Sequence, residues 1–223
     1  AGYDEGLRSH MLSIYNYMTS GILLTGIVAL LAFTSGVAET IFTGGILRWI
    51  VALSPMAIVF AMSFGANRMQ TGTIQLLFWS FCVAMGLSLS TIFLVFTGAS
   101  IATTFFATAG AFAGLSLVGY TTKKNLSGMG SFLIMGVIGL IIASVVNIFL
   151  QNTMMQMIIS IAGVLIFAGL TAYDTQRLKM TYYALGGDQA GLAVATGFGA
   201  LSLFINFVNL FQFLLAFMGG NRN

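Results

Sequence analysis

Asp174 stands in the run AYDTQRLKM at 172–180, one residue after the apolar stretch IISIAGVLIFAGL, in a chain with only five acids among 223 residues. An ionisable group at the end of an apolar helix is costly unless paired or hydrated, and such acids mark ion or proton pathways. The competing reading is local: Arg177 follows at i+3, and that pair would make Asp174 an interfacial anchor worth about 0.2–0.5 kcal/mol. A second polar group lies in GALSLFINFVNLFQFLL at 199–215, where Ser202, Asn206 and Asn209 recur at spacings of four and three. That spacing puts them on one helical face. A short hinge at Gly186 and Gly187 makes the two helices antiparallel, with Asp174 and Asn206 roughly opposite. Asparagines inside a membrane protein commonly bond between helices, for about 0.6–2 kcal/mol.

These residues need elements to hold them, and composition sets the solvent. With 58% hydrophobic and 6% charged residues and a mean hydropathy of +1.00, the chain belongs in lipid rather than in water. The single cysteine, Cys82, excludes an internal disulfide, and with one histidine it excludes a Cys/His zinc site. No cofactor is implied. A net charge of +3, scattered along the chain, gives no footprint for nucleic acid.

A spanning helix takes about 20 apolar residues, so the gaps between charges count the spans. One lies between Arg8 and Glu39, after a polar N-terminal segment at 1–16, and one between Arg48 and Arg68. Two lie between Arg68 and Lys123, broken at TGASIATT (97–104). Two more lie between Lys124 and Asp174, broken at QNTMMQ (151–156), and one follows Asp188. The expectation is an all-α integral membrane protein, a single seven-helix domain over 1–223. With the N-terminus and segment 1–16 in the cytoplasm, Arg8, Arg68, Lys123, Lys124, Arg177 and Lys179 fall inside, and only Arg48 and Arg222 outside.

Smaller features complete the reading. GAFAG at 110–114 has the small-xxx-small form that lets helices approach closely, which plain packing explains without a functional role. Lys123 and Lys124 read as topology determinants, Glu39 and Asp188 as solvated loop acids, and His10 as an exposed or interfacial residue. Catalysis is not expected. An aspartyl protease would need a second acid facing Asp174, and Asp188 in LGGD is too close in sequence to supply it across the hinge. Ser–His chemistry is not expected either, since the sole histidine lies in the N-terminal segment, and no His-Glu-x-x-His motif occurs.

AYDTQRLKM, VVNIFL at 145–150 and GALSLFINFVNLF at 199–211 resemble the Bax inhibitor-1 (transmembrane BAX inhibitor motif) family, and GLRSHMLSIYNYM resembles its bacterial members. The resemblance runs over nearly the whole chain. It implies six helices around a central C-terminal seventh, a pH-sensitive calcium leak, survival and stress-response roles, and a bacterial cytoplasmic (inner) membrane location. It implies Ca²⁺ as permeant ion, with at most transient binding at Asp174. Some bacterial relatives instead modulate a membrane-bound protease. Asp174 matches the family's first pore aspartate; the second falls at position 206, where many relatives carry Asp and this chain has Asn206.

Two close carboxylates share a proton and so sense pH near neutrality, whereas an Asp–Asn pair lacks that repulsion. Calcium also prefers six to eight oxygens, several of them carboxylate. The reading is therefore a family-type cation leak with attenuated sensing. The main alternative is a non-conducting stress-response regulator that binds a membrane protease or another membrane complex, and the oligomeric state stays open. Arg68 in GANRMQTG and Arg177 are the candidate gate or latch residues for Asp174. If Arg68 is the latch, Arg68→Ala raises the resting leak of the reconstituted protein, and an unchanged leak removes it from that role.

Overall fold

The computed structural model describes residues 4–66 and 68–221. Arg222, counted above as an outside charge, and Asn67, within GANRMQTG, lie outside that range, as do residues 1–3. Among the described residues the chain is helical throughout: α1 (Glu5–Thr34), α2 (Val37–Thr43), α3 (Ile46–Gly65), α4 (Thr71–Leu89), α5 (Ile92–Val95), α6 (Gly98–Thr121), α7 (Ser127–Leu150), α8 (Thr153–Leu185) and α9 (Gln189–Met218). Seven segments are long and apolar enough to cross a membrane, with α4 and α5 together making the third. The helices satisfy their own backbone groups, which lipid cannot do for them. The last span has 50% of its most apolar window buried, against 11–33% for the other six.

The helix breaks are shorter than the sequence suggests. TGASIATT is helical from Gly98 onwards, so only Thr97 of that run lies outside helix. Inside a helix a threonine hydroxyl can bond the preceding turn rather than open it, as Thr108 Oγ1 does by donating to Thr104 O at 2.7 Å. Likewise QNTMMQ breaks only at Gln151 and Asn152 before α8 begins. That turn is built by Asn147, whose Oδ1 accepts from Asn152 N at 3.0 Å while its Nδ2 donates to Gln156 Oε1 at 3.2 Å. Gln151 takes a left-handed conformation there, with φ of 49°. The α8–α9 turn uses Gly186 and Gly187 at φ of 56° and 91°, where a side chain would be strained.

By its internal contacts the chain divides into two compact units. The first comprises the described residues up to Thr97, with Tyr182–Phe204 and Asn221. Its helices α1 and α4 meet through small residues. Thr25 Oγ1 donates to Cys82 O at 2.8 Å, and a Cβ on Gly86 would stand 2.8 Å from Thr25 O. Phe78, Phe81 and Phe204 fill its core edge to face. His10 is buried here rather than exposed: its ring lies 5.4 Å from that of Tyr182, and its Nε2 has no hydrogen-bond partner. Glu39, on α2, and Asp188 are exposed as expected.

The second unit comprises Gly98–Thr181 and Ile205–Gly220. Leu133 and Leu140 of α7 pack with Ile159, Phe167 and Leu170 of α8 and Leu210 of α9. The close approach expected at GAFAG does not occur at its glycines: a Cβ on Gly110 or Gly114 would meet nothing within 4 Å. The buried face of α6 runs instead through Thr104, Thr108, Phe112, Ser116 and Gly119, at helical spacings that leave Gly110 and Gly114 outside it. Gly119 is the contact glycine, and a Cβ there would collide with the Ala172 carbonyl. Backbone cannot swing aside as a side chain can. Gly119→Ala should therefore cost about 1–3 kcal/mol and lower the thermal midpoint followed by circular dichroism in detergent, while Gly114→Ala leaves it unchanged.

Candidate functional site

The site lies within the second unit, where α8 and the later half of α9 bring Asp174 and Asn206 together. Asn206 Nδ2 donates to Asp174 Oδ2 at 2.7 Å. Arg177 NH2 stands 3.0 Å from Asp174 Oδ1. Each carboxylate oxygen thus faces a donor, an arrangement suited to the ionised, acceptor-only form. The Asp174 side chain is 7% exposed and that of Arg177 47%, so the pair has a buried end and a wet end. Tyr173 lies under the Arg177 guanidinium, 5.8 Å from ring centroid to Cζ.

The local i+3 ion pair forms, and the same carboxylate is buried and reaches the next helix. The two asparagines of the α9 polar face take different partners. Asn206 crosses to α8, whereas Asn209 Nδ2 donates to Ile205 O of its own helix at 2.9 Å. Ser202 belongs to the first unit and is half-buried. Arg68 also belongs to the first unit, exposed in the turn between α3 and α4; the guanidinium beside Asp174 is that of Arg177. Among the described residues no three of His, Cys, Asp and Glu gather as a metal site.

Sequence reading passed over the other half of the AYDTQRLKM segment. Gln176 Oε1 accepts from Leu126 N and its Nε2 donates to Lys124 O, both at 2.8 Å. Lys179 Nζ donates to Tyr120 O at 2.9 Å and lies 5.1 Å from the Tyr120 ring centroid. A cation on one of the last carbonyls of α6 also complements that helix's dipole. Gly130 of α7 leaves room for the Tyr173 ring. The signal was present as a glutamine and a lysine in a chain with few polar side chains, but nothing local says which loop they would grip.

Removing a donor from a buried carboxylate costs more than removing an amide that only bonds its own helix. Asn206→Leu should destabilise the protein by about 1–2 kcal/mol, and Asn209→Leu by clearly less. Thermal unfolding of the two variants in the same detergent checks the order.

With this geometry established, comparison with known proteins places the chain. Residues 7–223 match the family model described as Inhibitor of apoptosis-promoting Bax1. An uncharacterized protein of Caulobacter vibrioides is 51% identical, covering 98% of this chain and 91% of its own length. An uncharacterized protein of Rickettsia prowazekii is 41% identical over 99% of this chain and 93% of its own. The Escherichia coli inner membrane protein YbhL is 41% identical over 97% of this chain and 94% of its own. Nearly full-length matches on both sides, joined to seven membrane-length helices, make this chain a multi-pass membrane protein of the Bax inhibitor family.

Proposed function

We propose that the chain is a pH-sensitive cation leak of the inner membrane, with calcium as permeant ion and the N-terminus in the cytoplasm. Its closed state is Asp174 held between Arg177 and Asn206. The observation that carries this reading is the buried carboxylate with a donor on each oxygen; a membrane protein that placed an acid there only for anchoring would have no need of the second helix. Arg177 is the latch in this account. YbhL, called an inner membrane protein, supports the location. The excess of Lys and Arg in the loops assigned to the cytoplasm supports the orientation.

Protonating Asp174 removes the charge that Arg177 pairs with, and the amide of Asn206 can turn to serve either form. The response is therefore shallower than that of a two-acid site, where like charges force a shared proton. Calcium selectivity is weakened in the same way, since one carboxylate and one amide make a poor site for a cation that prefers several carboxylates. No catalytic step is required.

The local Asp174–Arg177 pair is also what a non-conducting regulator of a membrane protease or other complex would use as an anchor, and flux separates the two. In liposomes loaded with a calcium dye, Asn206→Asp should give greater flux and a steeper pH response than the unaltered protein. Asp174→Ala should abolish the pH dependence while the protein remains folded. Flux that is equal in all three proteins at every pH would favour the regulator.

A further inference from the structure

The connection from Thr122 to Leu126 joins α6 and α7, two membrane-length helices. A chain extends by at most about 3.5 Å per residue, so so short a connection, going out and back, stays within about 10 Å of the helix ends. The headgroup layer is itself about 5–8 Å deep on each side, so the connection stays in it or at its outer edge. It carries Lys123 and Lys124, both exposed. The connection is also fixed in place, because Gln176 holds Lys124 O and Leu126 N and Lys179 holds Tyr120 O.

The residue after Gln176 is Arg177, whose side chain is 47% exposed even while paired. Lys123, Lys124 and Arg177 are thus gathered at one end of the second unit, where the positive end of the α7 dipole also begins. The described acids of the whole chain include only one in this unit, Asp174, and its side chain is buried and engaged. The surface cluster therefore has no carboxylate of its own unit to balance it.

We propose that this cluster binds the phosphate of an anionic phospholipid headgroup, with Lys123 and Lys124 supplying most of the attraction and the outer edge of Arg177 linking the lipid to Asp174. Lipid is the occupant because so short a connection keeps both lysines within about a Debye length of the headgroup layer and its anionic phosphates. An anion drawn to Arg177 competes with Asp174 for the guanidinium. That link to conduction rests on the proposed leak, whereas lipid binding does not.

The test measures phosphatidylglycerol and phosphatidylcholine retained by the full-length protein after extraction from mixed vesicles, by mass spectrometry. The unaltered protein should retain phosphatidylglycerol in preference, and less of it at high salt. Lys123→Gln with Lys124→Gln should lower that retention roughly tenfold or more without altering the melting temperature. Asp174→Asn should raise it several-fold by releasing Arg177. Equal retention of phosphatidylglycerol by the double variant, or no preference over phosphatidylcholine, overturns the site. Displacement of the lipid by inorganic phosphate or polyglutamate at matched charge overturns lipid as the occupant, and unchanged retention in Asp174→Asn overturns the role of Arg177. Calcium flux measured in parallel keeps a failure of the leak separate from a failure of the lipid site.

Discussion

A carboxylate inside a membrane helix must have its charge compensated where it stands, because neither water nor lipid will do so. Asp174 meets this requirement from two directions, along its own helix through Arg177 and across to α9 through Asn206. The neighbouring residues are drawn into the same task of satisfying polar groups. Within two turns of α8, Tyr173 fills the space left by Gly130, Gln176 serves the backbone of the α6–α7 connection, and Lys179 serves the end of α6. The acid and the connection are therefore held by one rigid stretch of helix. Groups that share such a stretch do not respond independently, since neighbours in one polar network couple energetically.

The residue at 206 decides what kind of site this is. An amide contributes a hydrogen bond worth about 0.6–2 kcal/mol between membrane helices. A second carboxylate at the same place would instead bring a like charge, repelling Asp174 by about 4 kcal/mol at 4 Å in an effective dielectric of 20. The repulsion exceeds the bond it replaces, so two carboxylates at this spacing would be driven to share a proton. At 206 this chain has the amide, whose Nδ2 donates to Asp174 Oδ2 beside the ion pair with Arg177.

How much of this was legible in the sequence depended on how local each cause was. Seven spans followed from the spacing of charges, because an apolar helix of the required length is a property of its own residues. Asp174 stood out through its rarity, and its partner through the spacing of asparagines after a glycine hinge. The clamp at Gln176 was not legible, since its partners are backbone groups some 50 residues away and any loop offers the same groups. His10 was misplaced because a polar N-terminal stretch reads as exposed, whereas Tyr182, far along the chain, covers it. GAFAG drew attention through its pattern, yet the face of α6 that packs is set by its neighbours, and Gly119 lies on it while Gly110 and Gly114 do not.

The Asp174–Arg177 pair owes its character to the unequal exposure of its two ends. An ion pair buried at both ends pays desolvation on each charge and gives way only at high cost, while one exposed at both ends is worth about 0–1 kcal/mol and is screened by salt. Here the carboxylate is at 7% exposure and the guanidinium at 47%. In the proposed leak, protons act on the buried end, where loss of charge removes one of the partners of Arg177. In the proposed lipid site, anions act on the wet end, at the exposed guanidinium. The two proposals thus place two chemical signals on a single pair between adjacent turns of one helix, and neither requires the helix itself to unfold.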